Sequence, residues 1–244
     1  MSKLSQYSGK GQEQIQDTKT SYLKLAQTIS DEVIKQKPNY IPGLEAGMFF
    51  CSTTQKIYGT SIDVIVLSTR KSYMLVDAQD EFQGFADKIE PTWHRDVDGR
   101  LRTPEGFIAR VQYSFLVVTP DNLDEPMVLT LKKSDIPASR DWNTLIKNAK
   151  LEDGSPAPIF GCIWTITPIF REGDKGNWFG LTNGKSSGIK FKGFIEDEIV
   201  DHVAQLYEST SKALTALAAP ANEETKALTM EMFFGPQSRE VQWD

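Results

Sequence analysis

Residues 160–194 of this chain read FGCIWTITPIFREGDKGNWFGLTNGKSSGIKFKGF, a pattern typical of a β-rich protein. Short apolar runs with aromatic residues alternate with glycine-rich turns, as in strands joined by hairpins. The turns and strand ends supply lysine and arginine. Aromatic rings beside cations on a β-scaffold suit a flexible single strand of nucleic acid, because bases stack on the rings while phosphates meet the cations. The alternative interpretation is a hairpin whose aromatic residues belong to the core and whose lysines are only solvated.

The composition is that of an ordinary globular protein: 39% of the 244 residues are hydrophobic, 10% are aromatic and 25% are charged. No run approaches the roughly 18 apolar residues of a membrane span, and the first residues contain no apolar signal core. Cys51 and Cys162 are far apart, which favours two buried reduced thiols over a disulfide framework or a zinc site. We therefore expect a cytoplasmic protein that does not enter a membrane.

The net charge of −6 is unevenly distributed along the chain. From residue 195 onward ten acidic residues face three basic ones, so this segment carries −7 and residues 1–194 carry +1. A near-neutral body with an acidic end is a layout found in strand-binding proteins, where the acidic segment competes with DNA or recruits partners. A solvated acidic helix explains the charges of residues 196–208 equally well.

Local patterns predict most of the secondary structure. Alternation and apolar runs indicate short strands at residues 48–51, 61–67 and 72–76, and then a hairpin of residues 107–119 with residues 126–132. Residues 77–106, rich in Asp, Gly, Pro and Arg, look like a long excursion between strands. A helix capped by Ser134 or Asp135, with Pro137 near its first turn, is predicted to run to about residue 149.

The expected fold class is mainly β with some helix (β+α). The order of elements favours an oligonucleotide/oligosaccharide-binding (OB)-like Greek-key barrel with a central helix, a long inserted loop and a C-terminal helix. The predicted divisions are a flexible N-terminal arm over residues 1–20, an OB-like nucleic-acid-binding domain over 21–195, a C-terminal helix over 196–217 and an acidic flexible tail over 218–244.

Residues that could carry catalytic chemistry are sparse. His94 and His202 are the only histidines, and no Ser or Cys nucleophile motif accompanies either of them. The segment 183–186 (NGKS) lacks the correctly spaced earlier glycine of a phosphate-binding P-loop. The clustered carboxylates of a metal-dependent nuclease are also missing from the sequence pattern. We therefore predict a protein that is not an enzyme, with no cofactor and no metal site.

Several short segments resemble a group of tailed-bacteriophage proteins described as single-stranded DNA-binding. The similar segments are residues 23–27 (LKLAQ), 30–33 (SDEV), 47–49 (GMF), 58–59 (YG), 128–134 (VLTLKKS), 140–143 (RDWN) and 175–179 (KGNWF). They are soft patterns within residues 20–195, not catalytic signatures. The resemblance implies an OB-fold protein that coats single-stranded DNA during replication and recombination in the host-cell cytoplasm. It fixes no contact residue, so the candidate contacts are assigned from residue type and placement.

Two kinds of side chain form the predicted DNA-binding site. The stacking platforms are Tyr113, Phe115, Trp164, Phe170, Trp178 and Phe179. The phosphate contacts are Lys132, Lys133, Arg140, Arg171, Lys175, Lys185, Lys190 and Lys192. Trp178 and Phe179 are adjacent in a predicted strand and point to opposite sides, so we expect one to be buried and the other exposed. Trp142 is expected in the core, because Leu145 and Ile146 share its helix face.

The predicted partner is single-stranded DNA, bound with little sequence preference. The acidic tail predicts recruitment of replication or recombination proteins, and a homo-oligomer is compatible with the sequence. The competing hypothesis is a non-enzymatic virion, assembly or protein-interaction component, in which the aromatic residues are core and the helix over 196–217 makes the contacts. A third hypothesis, a nuclease or strand-annealing factor, predicts a response to magnesium or to duplex product.

Overall fold

A computed structural model describes residues 20–173 and 176–218, with side chains described as far as residue 210. The predicted arm over 1–20, except its last residue, and the predicted tail over 218–244, except its first, lie outside the described residues. The β-strands are β1 (Leu23–Leu25), β2 (Phe49–Cys51), β3 (Ile57–Gly59), β4 (Ile62–Val76), β5 (Phe82–Ala86), β6 (His94–Arg95), β7 (Leu101–Arg102), β8 (Ile108–Thr119), β9 (Asn122–Lys132), β10 (Cys162–Ile166), β11 (Ile169–Gly173), β12 (Gly176–Gly180) and β13 (Ile189–Phe194). The α-helices are α1 (Ile136–Asn148) and α2 (Asp197–Ala218).

The largest sheet is organised around β4, a strand of 15 residues. On one side β4 pairs with β8 and β8 pairs with β9; on the other side β4 pairs with β10 and β10 with β13, all antiparallel. The order β10-β4-β8-β9 is that of a Greek key, in which the fourth strand returns to lie beside the first. The mainly β prediction is confirmed, and the described pairings form open sheets.

The predicted strands over 61–67 and 72–76 are one continuous strand. Between them the sequence is polar (STRK), so local pattern gives no strand signal there. The structure continues β4 through this stretch because β8 supplies a pairing partner from Ile65 to Val76. A bulge at Leu67 shifts the register between Val66 and Ser68. The predicted hairpin of residues 107–119 with 126–132 is confirmed as β8 and β9.

The core lies on both faces of this sheet. On one face Phe115 stacks on Trp142 of α1 with ring centroids 4.3 Å apart, and Trp164 meets Trp142 edge-on at 6.3 Å. Trp142 is fully buried, as predicted. Phe115 is 0% exposed and Trp164 is 1% exposed, so no base can reach either ring and their assignment as stacking platforms was wrong. Strand alternation identifies residues that share a face, but does not say which face α1 covers.

The other face of the sheet is covered by α2. Val203 is fully buried there, with Ile199 and Leu206 packed beside it against Ile65 and Leu67 of β4. His202 Nε2 lies 3.4 Å from Asp124 Oδ1, at the start of β9. Within the described residues no helix is both long enough and apolar enough to cross a membrane.

The long excursion over residues 77–106 is more ordered than a loop and contains β5, β6 and β7. Its turns are held by ion pairs between arginine and aspartate. Arg102 Nε donates to Asp96 Oδ2 at 2.6 Å, and Arg110 of β8 pairs with Asp80. These arginines therefore stabilise the excursion itself.

Candidate functional site

The two faces of the hairpin formed by β11 and β12 carry different side chains. Phe170 lies directly opposite Phe179, and Arg171 lies directly opposite Trp178. Because successive side chains of a strand point to opposite faces, the two phenylalanines share one face while Arg171 and Trp178 share the other. The ring centroids of Phe170 and Phe179 are 5.3 Å apart in an edge-to-face arrangement. The Arg171 guanidinium carbon lies 6.0 Å from the Trp178 ring centre.

Asp135 fixes the hairpin to the start of α1. Arg171 Nη2 donates to Asp135 Oδ1 at 2.5 Å, and the backbone N–H of Leu181 donates to the same oxygen at 2.9 Å. Asp135 precedes α1 directly but makes no side-chain capping bond to it. The Arg171 side chain is only 9% exposed. Arg171 therefore holds the hairpin in place, and its prediction as a phosphate contact has to be corrected: its charge is already neutralised by Asp135.

Gln27 fixes the opposite side of the hairpin. Its side-chain amide donates to the carbonyl oxygen of Phe179 at 3.0 Å and accepts from the N–H of Phe179 at 2.8 Å. The side chain thus supplies the free edge of β12 with the donor and the acceptor that a neighbouring strand would otherwise provide. Together, Gln27 and Asp135 set the orientation of the hairpin against the body.

Trp178 and Phe179 do point to opposite sides of β12, as the sequence predicted. The expectation that one is buried and the other exposed was wrong, because both are half-buried. Each face of the hairpin meets part of the body: Arg171, beside Trp178, bonds to Asp135, and the ring of Phe179 lies on Gly47.

A groove of about 430 Å³ lies on the Trp178 side of the hairpin, and we call it the hairpin groove. Its walls come from three places: the hairpin, the first turn of α1 and the loop after β12. The lining residues are Phe170, Arg171, Glu172, Trp178, Ser134, Pro137, Thr182, Asn183 and Gly184. Phe170 is 49% exposed, so part of its ring faces solvent.

Three exposed cations flank the hairpin groove in the sequence. Lys133 precedes the lining residue Ser134, and Lys185 follows the lining residue Gly184. Arg140 comes three residues after the lining residue Pro137, which places both on the same face of α1. None of these three cations is ion-paired with a carboxylate among the described residues. The loop that carries Lys185 is shaped by Asn183, whose Oδ1 accepts from the N–H groups of Lys185 and Ser186 at 3.0 Å and 2.8 Å.

The remaining predicted contacts lie elsewhere. Tyr113 is half-buried and packs against the core under α1. Lys132, at the end of β9, lines a different cavity. Lys190 and Lys192 are exposed on β13, and Lys175 lies outside the described residues. The structure therefore brings Phe170, Arg171 and Trp178 together at one groove, with Lys133, Arg140 and Lys185 beside it.

Lys192 is engaged in an ion pair and is not a free cation. Its Nζ donates to Asp63 Oδ2 at 2.5 Å, and Thr165 Oγ1 donates to Asp63 Oδ1 at 2.6 Å. The hydrogen bond and the charge of Asp63 raise the pKa of Lys192. Burial by itself raises the pKa of Asp63, but the hydrogen bonds from Lys192 and Thr165 outweigh it, and the pKa is lowered.

Sequence reasoning missed the residues that position the hairpin. Gln27 is 152 residues from Phe179 in the chain, and no local pattern distinguishes it from a solvated glutamine. The helix-start pattern predicts Ser134 or Asp135 as a cap and gives no sign that Asp135 binds Arg171. The exposure of Phe191 (48%) and Phe194 (38%) on β13 was also not predicted. Across residues 20–173 and 176–218, no three His, Cys, Asp or Glu side chains are grouped as metal ligands.

A protein-family model matches residues 1–216 of the chain. The family is described as Pam3 phage gp34-like protein. The chain belongs to this family. A phage origin, which the resemblance of short segments predicted, is thus supported by a match over most of the chain. No match was found among curated proteins, and none among solved structures. The description of the Pam3 phage gp34-like family names no ligand or activity.

Proposed function

We propose that this phage protein binds single-stranded DNA in the hairpin groove without catalysing a reaction. The observation that carries the proposal is a groove of about 430 Å³ that Trp178 lines from one face of the hairpin, with Phe170, which is 49% exposed and whose ring belongs to the other face, at its edge. A DNA base stacks on such rings, typically contributing about 1–3 kcal/mol per base. Because every base has a stacking face, this mode of binding has little sequence preference.

Phosphate contacts come from the cations that flank the groove. Lys133, Arg140 and Lys185 are exposed, so they can approach a phosphate without breaking an ion pair within the described residues. Each phosphate contact on a single strand contributes about −0.7 to the slope of log affinity against log salt. Three contacts give a slope of about −2. Arg171 contributes by holding Trp178 and the hairpin in place.

The arrangement of strands supports an OB-like fold as part of this proposal. The five strands β4, β8, β9, β10 and β13 are adjacent in the largest sheet, with α1 between the third and the fourth of them along the chain. Partly open five-stranded Greek-key barrels of the OB type use strand faces and loops to bind oligonucleotides. The protein would then coat single-stranded DNA in the host cytoplasm during replication or recombination, with the acidic residues after 218 recruiting partner proteins.

The test is a titration of the full chain with oligo-dT and with a matching duplex, at low and moderate salt and without metal. Oligo-dT should quench the tryptophan fluorescence by stacking on Trp178, and the matching duplex should leave the fluorescence unchanged. Replacing Phe170 and Trp178 together with alanine should weaken binding at least tenfold. Replacing Arg140 and Lys185 with alanine should reduce the salt slope by about 1.4.

A matched control removes two exposed cations that neither line nor flank the groove in the sequence and have no ion pair among the described residues, Lys35 and Lys56. If the Lys35→Ala/Lys56→Ala variant loses as much affinity as the Arg140→Ala/Lys185→Ala variant, binding reflects general charge and the groove is not the site. If the unaltered protein does not bind oligo-dT at low salt, the DNA proposal is wrong.

Assembly is the second candidate function, and the edge strand β13 favours it. Phe191 and Phe194 expose 48% and 38% of their surface there, and β13 pairs only with β10 among the described strands. Exposed aromatic side chains on a strand edge are suited to protein contacts. In this case Phe191→Ser should dissociate a complex or an oligomer, measured by light scattering, while oligo-dT has no effect on fluorescence.

A further inference from the structure

Strands β1 and β9 touch at one point and then separate. The backbone N–H of Val128 donates to the carbonyl oxygen of Ser21 at 2.8 Å, and Tyr22 and Val128 form a single parallel bridge. Beyond it β1 turns to pair with β2, and a cleft of about 480 Å³ opens between the two strands. Residues 23–25 line one side of this β1–β9 cleft, and residues 129–132 line the other. Phe179 of the hairpin and Leu181, which follows it, also line the cleft.

The β9 side of the cleft carries backbone groups without a strand partner. Along a strand, the backbone N–H and C=O groups of every second residue point to the same edge of the sheet. The backbone groups of Thr130 therefore point to the same edge as the N–H of Val128. Past Val128, β9 pairs only with β8 among the described residues, and β8 lies along its opposite edge. The N–H and C=O of Thr130 and the N–H of Lys132 are therefore directed into the cleft, as at an open sheet edge.

One cation that lines the cleft has no carboxylate partner among the described residues. Lys24 lies 3.2 Å from Glu32, and Asp135 is held by Arg171 at 2.5 Å, so both lining acids are neutralised. Lys132 has no carboxylate partner among the residues that the structure describes. Burial and the neighbouring charge of Lys133 lower the pKa of Lys132. A carboxylate brought next to Lys132 would favour its charged form and so oppose both effects.

We propose that the β1–β9 cleft binds an extended peptide segment of a protein partner, which pairs with the free edge of β9 and places a carboxylate against Lys132. Backbone hydrogen bonds to Thr130 and Lys132 supply affinity, as in other cases of strand addition. Leu25 and Met74 line the cleft and are partly exposed, so they can receive apolar side chains from alternate positions of the peptide. This site is spatially separate from the hairpin groove, because the groove lies on the Trp178 face of the hairpin and the cleft on the Phe179 face.

The probe is a fluorescently labelled peptide of alternating valine and threonine with a glutamate at each end, titrated into the full-length protein and followed by anisotropy. A second peptide has the same side chains but N-methyl groups on alternate backbone amides. Strand addition requires peptide N–H groups, so the N-methylated peptide should bind at least tenfold more weakly.

Two variants locate the site. Lys132→Glu should weaken binding of the glutamate-ended peptide at least tenfold, and a lysine-ended peptide should recover affinity for this variant. Thr130→Pro removes the free N–H and leaves the hydrogen bonds to β8 in place, so it should abolish binding of both peptides. The thermal unfolding midpoint of each variant shows whether it remains folded, and Lys56→Glu serves as the charge control.

Three outcomes would overturn the proposal. The first is equal binding of the N-methylated and the unmodified peptide, and the second is no binding at millimolar peptide. The third is displacement of the bound peptide by equimolar oligo-dT in the Phe170→Ala/Trp178→Ala variant, whose hairpin groove no longer holds DNA, because this would make the cleft itself a nucleic-acid site. Failure of oligo-dT to bind anywhere would leave the peptide result unaffected.

Discussion

Gly47 lies directly beneath the ring of Phe179. A Cβ placed on Gly47 would be 2.8 Å from Phe179 Cε1, and Gly47 has a φ of +87°. The glycine therefore permits both the close approach of the ring and a backbone conformation that other residues adopt at a cost. Through this contact the loop before β2 supports the hairpin.

Gly47→Ala should destabilise the protein by about 1–3 kcal/mol, since the new methyl group must displace the ring and the backbone is strained. The free energy of unfolding in urea measures this loss. Gly59→Ala is the matched control, because Gly59 has a φ of +86° but no atom within 4 Å of the added Cβ. Equal losses for the two variants would mean that the contact with Phe179 contributes nothing.

Asp135→Ala should destabilise the protein by about 3 kcal/mol, because it leaves the nearly buried Arg171 charge without a partner. The variant should also reduce quenching of Trp178 by oligo-dT, since the hairpin loses its link to α1. Glu90→Ala provides the comparison: Glu90 pairs with Lys88, which is 78% exposed, and such pairs contribute at most about 1 kcal/mol. Chemical unfolding of both variants tests the difference.

Acid should weaken the protein partly through Asp63. The pKa of Asp63 is lowered in the folded state, so its contribution to stability is complete above the ordinary aspartate pKa of about 3.9. This contribution disappears as the pH falls through the lower, folded-state pKa. Asp63→Asn should therefore show a shallower loss of stability in this acid range. Identical pH profiles for the variant and the unaltered protein would contradict the assignment.

Alkali should reveal two late-titrating tyrosines. Burial raises the pKa of Tyr22 to about 12, and burial together with Glu125 and Cys51 raises that of Tyr58 to about 12. A raised tyrosine pKa means that the neutral phenol is favoured by folding, so stability is lost as the pH rises from about 10 toward 12. In a phenolate absorbance titration, Tyr22→Phe and Tyr58→Phe should each remove one late-titrating group.

Trp164→Phe should leave the affinity for oligo-dT unchanged while lowering stability. The Trp164 ring is part of the core and contacts Trp142 and Phe191 edge-on. Its replacement creates an internal cavity and leaves the proposed DNA-binding surface unchanged. Trp178→Phe keeps a stacking ring but should remove most of the fluorescence response to oligo-dT. A loss of DNA affinity in a stably folded Trp164→Phe protein would restore Trp164 as a contact residue.

Local patterns predicted the elements whose residues depend mainly on their sequence neighbours. The β8–β9 hairpin and α1 were found because alternation and helix-start signals span only a few residues. The roles of Phe115 and Trp164 were misjudged, since which face is covered depends on α1, which follows β9 in the chain. The link between Arg171 and Asp135 spans 36 residues, and sequence spacing carries no information about it.

Local sequence patterns also fail to identify some of the residues that line the hairpin groove. Phe170 and Trp178 were candidates from their residue type, but Ser134 and Asn183, which complete the groove, carry no chemical signal. The continuous strand β4 was predicted as two strands because its polar middle is held by β8 and not by its own alternation.

Trp178 and Phe179 are consecutive residues of one strand, so a movement of that strand displaces side chains on both faces of the hairpin. A ligand that tilts β12 on the Trp178 side also moves the wall of the cleft on the Phe179 side. The two occupancies are then thermodynamically linked: whatever factor DNA applies to the affinity for a peptide, the peptide applies to the affinity for DNA. The five-residue strand β12 would thus serve as an allosteric element, and the hydrogen bonds from Gln27 and Asp135 would fix its position in the absence of ligand.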